Sequence, residues 1–294
     1  SLPKNFILFI KSKSMTRNKV AVVTGANKGL GLAIVKSLCI KYDGIVYLTS
    51  RDEKRGKNAC KELKDLGLSP EFHQLDITDE KSINNFCKHI KDKHKQIDIV
   101  INNAGILFLK DATEPMDYQA EQTVAVNFFA LVNFTEAILP LVADGGSIVN
   151  ISSSSGHLSR IPSEELRLRV GSNDLNLDEL KKLMSSYVEA VKLGTWMDEG
   201  WGDSPYVVSK VGVNAYTFML HRRLSDNISV SCVHPGYVIS DMTRGAGSVT
   251  PDAAAGHAFR LATQRCGRGL FVWHDGSEVS WDGPDPRTFI DGKL

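Results

Sequence analysis

The sequence predicts a single α/β domain built on a doubly wound parallel sheet. Short β-branched runs alternate with amphipathic helical stretches from Lys19 onward. Runs such as VAVVT and IDIVI are apolar on both faces, which suits central parallel strands covered by helices on either side. A glycine-rich turn separates the first run from the first helical stretch, where such sheets hold phosphate-bearing ligands.

The elements follow in strict order. Lys19–Thr24 is β-branched and reads as a buried strand, and Gly29–Tyr42 as the helix leaving the glycine turn. Ile45–Ser50 is the second strand and Glu53–Leu66 the second helix, with Asp52 placed to cap it. Phe72–Leu75 is a weaker third strand, followed by helix over Asp79–His94. Ile97–Asn102 is the fourth strand and Tyr118–Leu141 a long helix. Ser147–Ser152 is the fifth strand. Helix returns over Pro205–Leu224, strand at Ile228–Val233, helix at Pro251–Thr263 and a last strand at Gly269–Trp273. Strict βα alternation implies the doubly wound arrangement, and the absence of any linker or repeat implies one domain over 15–294.

One stretch breaks the rhythm. An insertion of about 156–203 carries no strand signal. At its centre, Leu177, Leu180, Met184, Val188 and Val191 recur at helical spacing. Asn176 and Glu179 form a capping pair at the start, and Gly194 stops the helix. The segment is expected to dock its apolar face on the domain rather than fold separately.

Composition narrows the function. The 294 residues are 42% hydrophobic, enough for a well-buried core. A net charge of +1 gives no bulk electrostatic grip on nucleic acid or a membrane surface. Cys39, Cys60, Cys87, Cys232 and Cys266 show neither a CxxC pair nor zinc-like spacing, so reduced thiols, a cytoplasmic setting and no metal are expected. Asn-x-Ser/Thr triplets at Asn133, Asn150 and Asn227 fall in predicted helices or strands, which argues against glycosylation. Phe6–Ile10 is too short to span a bilayer, and residues 1–14 are set aside as a tail.

Within Thr24–Gly31, Gly25, Gly29 and Gly31 permit a tight turn and close backbone approach. The helix that follows offers free N–H groups to a pyrophosphate. At the end of the second strand a carboxylate favours NAD, and a basic residue favours the 2′-phosphate of NADP. Arg51 ends that strand, Arg55 follows, and Lys28 in the turn aims at the same pocket, so the expected cofactor is NADP(H). Asn103, Ala104 and Gly105 end the fourth strand with small residues and an amide beside the cofactor. In Tyr206-Val207-Val208-Ser209-Lys210 the phenol and ammonium share a helix face. A nearby Lys⁺ favours the phenolate and should make the phenol a better acid.

At this point the chain resembles the short-chain dehydrogenase/reductase family, in its monomeric carbonyl reductase branch. The resemblance rests on TGANKGLG at 24–31, LTSRD at 48–52, QLDITD at 74–79, NNAG at 102–105, VNFF at 126–129, GSIVNISS at 146–153, YVVSK at 206–210 and HPGYVISDM at 234–242. It implies a Rossmann-type fold and NADPH-dependent reduction of a small-molecule ketone, aldehyde or quinone, with no nucleic acid or membrane partner. Tyr206 would donate the proton, Lys210 bind the nicotinamide ribose, Ser153 bond the substrate carbonyl and Asn127 hold a water leading to Lys210. Asn27 and Leu30 belong to the matched turn, Asp76 and Ile77 would lie along the adenine, and Pro235, Gly236, Val238, Ile239 and Ser240 would close over the nicotinamide. Phe108, Gln119, Tyr237 and Met242 would line the substrate pocket with Ser153. The insertion, shared with the monomeric branch, implies a monomer. Tyr237 and His234 depart from that branch, so substrate preference is not carried over. An NAD-dependent alcohol or steroid dehydrogenase is the alternative that Lys28 and Arg51 oppose. An idle nucleotide-binding regulator is opposed by the complete set of Asn127, Ser153, Tyr206 and Lys210.

Overall fold

A computed structural model describes residues 17–224, 227–264 and 269–286. The tail at 1–14 and Cys266 lie outside the described residues. Seven parallel strands form one sheet: β1 (Val20–Val23), β2 (Ile45–Ser50), β3 (Glu71–Gln74), β4 (Ile97–Asn102), β5 (Val142–Ile151), β6 (Ser229–Val233) and β7 (Phe271–Val272). Their order is β3-β2-β1-β4-β5-β6-β7. The chain winds outward from β1 and then returns to β4 on its other side. The direction of winding therefore reverses between β1 and β4, which opens the ligand crevice of doubly wound sheets.

Helices α1 (Gly29–Lys41), α2 (Glu53–Asp65) and α9 (Pro251–Thr263) cover one face. Helices α3 (Glu80–Lys93), α4 (Met116–Val124), α5 (Leu131–Ile138), α6 (Glu164–Val170), α7 (Leu177–Leu193) and α8 (Pro205–Leu224) pack on the other. Val20 and Val22 face one core and Ala21 and Val23 the other, all fully buried, so β1 is apolar on both sides for the reason the sequence suggests. Asp52 caps α2 by accepting from the Arg55 amide.

Several boundaries differ. The helix expected over Tyr118–Leu141 starts at Met116 and is interrupted by a π-helical turn at 125–130 before α5 and a closing 3-10 turn. By length and composition Met116–Leu141 could cross a membrane, but Val124, Phe128, Phe134 and Ile138 are buried in the protein core. Strand β5 begins at Val142, before the expected Ser147, because Val142 pairs with Ile97 across a register shift. Strand β7 is shortened to two residues, and Val272 bridges Glu278 in antiparallel fashion. The Trp273 amide donates to Ser277 (2.9 Å) and the Val279 amide to Phe271 (2.8 Å), so the chain's own return covers that sheet edge. Of the glycosylation triplets, Asn150 is fully buried in β5 as expected, but Asn133 lies on an exposed helix face and Asn227 in an exposed bend.

The insertion packs against its own domain. Helix α7 has the expected bounds, with the Asn176–Glu179 capping box and left-handed Gly194 at its end. Its buried face is Leu180, Leu183, Met184, Tyr187, Ala190 and Val191, packed toward α4 and α8. Leu177 and Val188, expected inside, sit at the rim, while Leu183 and Tyr187 take the centre. Tyr187 packs its ring against Trp201 at 5.5 Å, a contact no apolar-stripe count could supply. Helix α6 has no counterpart in the sequence reading; Ser163 caps it by accepting from the Leu166 amide.

Candidate active site

The glycine turn is shaped by steric exclusion. Gly25 and Gly29 have φ of +60° and +55°, a region where side chains are strained. A Cβ on Gly25 would stand 2.9 Å from Ala104 Cα, and one on Gly31 would stand 2.5 Å from Asn103 Nδ2. The turn is fixed from β4: Asn103 Nδ2 donates to the carbonyls of Thr24 (2.9 Å) and Gly25 (3.1 Å). The Thr24 hydroxyl accepts from the amides of Asn103 and Ala104. In the sequence Thr24 reads only as the end of a β-branched run, so this role carries no local signal. No side chain caps the start of α1, so its first amides are open to an anion. A cradle without Cβ atoms at an uncapped helix start fits the pyrophosphate of a dinucleotide.

The basic residues around the turn are arranged less simply than their order suggests. Arg51 stands exposed at the end of β2, as expected. Arg55 instead pairs with Asp52 at 3.1 Å. Lys28 reaches across to Asp241 at 2.7 Å, tying the glycine turn to the loop after β6. Asn27 accepts from Ser50 at 3.2 Å, and Leu30 packs against the α1 side of the core. Asp76 accepts from the amide and hydroxyl of Thr78, which shapes the turn after β3, and Ile77 beside it is buried.

Helix α8 carries the second cluster. It spans twenty residues, and its first half is almost wholly buried. Tyr206 and Lys210 share one face, with Lys210 Nζ 5.6 Å from the centre of the Tyr206 ring. The Tyr206 phenol stands near the Ser153 hydroxyl, which favours its charged form. The neighbouring Ser152 is buried and donates to Asn214 at 2.6 Å. Lys210 is buried and donates to the Ile151 carbonyl at 2.8 Å.

Burial pushes the Tyr206 phenol up to about 12, and the nearby Ser153 hydroxyl opposes that only in part. The shift runs opposite to the lowering expected from the sequence, because removing the charged form from water disfavours the phenolate. The same desolvation pushes Lys210 down to about 8. Asn127, buried in the π-helical turn, exchanges two bonds with the Ile106 backbone and donates to Ser209 at 3.2 Å. Its side chain is thus committed to the loop after β4, where Gly105 approaches it closely.

The loop after β6 lies beside the glycine turn. Gly236 has φ of +84°, and its Cβ would strike Val249 and His274. Pro235 and Val238 are buried, the latter bridged to Val249. Ser240 lies close to Gly29, while Tyr237, Ile239 and Met242 are exposed. Phe108 packs edge-on against Tyr118 at 6.1 Å. Gln119 donates to the Glu114 carbonyl. Arg244 pairs with Asp111 at 2.5 Å, joining the loop after β6 to the loop after β4. Among the described residues no group of metal-ligating side chains is assembled.

Comparison with known proteins agrees with this geometry. The short chain dehydrogenase family matches over residues 19–163. "Carbonyl reductase [NADPH] 3" of Rattus norvegicus is 42% identical over 245 residues, covering 81% of this chain and 88% of that protein. "Carbonyl reductase [NADPH] 1" of Sus scrofa is 39% identical over 246 residues, covering 82% and 85%. Salutaridine reductase from Papaver somniferum superposes with a TM-score of 0.80 at 29% identity, covering 87% of this chain and 99% of that one. Their identity and coverage, with the glycine turn and the Tyr206–Lys210 face in place, establish that this chain belongs to the short chain dehydrogenase family.

Proposed function

We propose that this protein is an NADPH-dependent carbonyl reductase. The observation that carries the reading is the Tyr206 phenol beside the Ser153 hydroxyl, with Lys210 one turn along the same helix. Two hydroxyls converge where a carbonyl oxygen would accept from both. The relatives named carbonyl reductase [NADPH] support the same reading.

The roles follow from the chemistry of each group. The glycine turn and the uncapped start of α1 would hold the pyrophosphate, and Asn103, Ala104 and Gly105 would border the cofactor from β4. Arg51 and Lys28 would engage the 2′-phosphate, with Lys28 leaving Asp241 to do so. When bound, the nicotinamide supplies the hydride. Ser153 orients the carbonyl, and Tyr206 gives its proton to the oxygen as negative charge grows there. Lys210 holds a positive charge beneath the phenol. Pro235, Gly236, Val238, Ile239 and Ser240 would shield this end from water, and Phe108, Gln119, Tyr237 and Met242 would meet the substrate.

A carbonyl panel of aromatic aldehydes, quinones and cyclic ketones, read as NADPH consumption with NADH alongside, tests the assignment. No turnover on any member would overturn it. Preference for NADH would favour the NAD-dependent dehydrogenase that Arg51 opposes. A monomer is supported by the insertion packed over α4 and α8 and by the self-covered edge of β7. A cytoplasmic setting is supported by the free thiols of Cys39, Cys60, Cys87 and Cys232.

A further inference from the structure

We infer that Asn214 is a positioning residue for the reaction, the part of α8 that holds Ser153 beside Tyr206. This rests on the reading of Tyr206 and Ser153 as the groups that meet the carbonyl. Tyr206, Lys210 and Asn214 stand at four-residue intervals on α8 and so share one face. All three face one short segment. Lys210 donates to the Ile151 carbonyl at 2.8 Å. Tyr206 lies near the Ser153 hydroxyl. Asn214 takes both ends of the remaining turn: its Oδ1 accepts from Ser152 at 2.6 Å, and its Nδ2 donates to the Gly156 carbonyl at 2.9 Å.

The amide is suited to this task. It needs an acceptor for Ser152 and a donor for Gly156 at once, and asparagine carries both on one rigid group. Asn214 is fully buried, so neither partner has water as a substitute. Ser152 and Gly156 flank Ser153, whose own hydroxyl accepts from the Ser155 amide at 3.1 Å and whose carbonyl accepts from Gly156 at 2.9 Å. The loop is therefore closed on itself around Ser153, and its two ends at Ser152 and Gly156 are fastened to the helix by one side chain. Gly156 makes the approach possible. A Cβ there would stand 2.7 Å from Asn214 Nδ2, 2.7 Å from Ser152 Oγ and 2.9 Å from the Lys210 carbonyl.

The test is a kinetic cycle with NADPH and menadione. Asn214→Ala should lower kcat by about ten- to a hundredfold, as expected for a displaced reacting group. NADPH affinity, measured by fluorescence titration, should change by less than about twofold, since the cofactor cradle is built from other residues. The double variant Asn214→Ala/Ser153→Ala should be no slower than Ser153→Ala alone, because nothing is left to position. Multiplying losses in the double variant, or unchanged kcat in Asn214→Ala, would overturn the proposal. If Asn214→Ala does not fold, Gly156→Ala perturbs the same contact from the loop side. Its cycle with Ser153→Ala then supports or overturns the proposal by the same comparison. Tyr206→Phe runs alongside. Full turnover in Tyr206→Phe removes the underlying reading and the proposal together, whereas multiplying losses with Tyr206→Phe inactive remove the proposal alone.

Discussion

Tyr206 and Lys210 stand one helical turn apart with the lysine ammonium 5.6 Å from the tyrosine ring centre, yet Lys210 donates to the Ile151 carbonyl at 2.8 Å. The pair is coupled through the strand end they both face. Its two members are pushed toward neutrality by the same burial, Tyr206 up to about 12 and Lys210 down to about 8.

Tyr206→Phe should therefore keep the ring packing and lose the proton donor. Turnover on a carbonyl substrate should fall by about 10²–10⁴ while NADPH binding persists. Retention of more than about a tenth of wild-type turnover would show another acid.

The Lys210 charge should be visible in the pH profile. Its folded value, about 8, lies below the ordinary 10.5, so the ammonium is lost from the folded protein first. The kcat/KM for NADPH, which reports the free enzyme, should fall as pH rises through about 8. Lys210→Arg keeps its charge throughout and should flatten that fall at a lower overall rate. An unchanged inflection in Lys210→Arg would assign it to another group.

Cofactor preference should rest on Arg51. Arg51→Ala should weaken NADPH binding by about 1.5–3 kcal/mol, the value of a bond to a charged partner, and leave NADH nearly unchanged. Equal losses for both cofactors would mean that Arg51 acts through the fold.

Acid stability should depend on His234. Burial first, and His274 second, hold its imidazole down at about 3, against an ordinary 6.5. The unfolded chain then binds a proton that the folded one refuses. Stability from this group is present above 6.5 and is lost as pH falls from there toward about 3. Urea midpoints measured at several pH values across that window should fall more steeply for the wild type than for His234→Gln. Parallel curves would exclude the histidine as the cause.

The insertion should count as part of the core. Leu180 is fully buried in α7, so Leu180→Ala should cost about 2–5 kcal/mol in a single cooperative unfolding transition. A separate early transition would make the insertion its own folding unit. Sedimentation should give a mass near 32.3 kDa, and twice that mass would recast the apolar face as an interface between copies.

Legible along the chain were the alternation of strands with their crossover helices, the glycine turn and the shared face of Tyr206 and Lys210. These are local properties. Apolar alternation, a helical repeat of four and glycine's access to positive φ act within a few residues, so they can be read along the chain. The capped helix at Leu177–Leu193 was legible to the residue for the same reason, since Asn176, Glu179 and Gly194 carry their signals locally. The anchor of the serine run belongs to the assembled protein: Ser152 turns inward to Asn214, 62 residues away. Lys28 likewise met Asp241, 213 residues on, through loops whose approach no local pattern encodes. The direction of the Tyr206 shift also belonged to the assembled protein, because burial is a property of everything packed around α8.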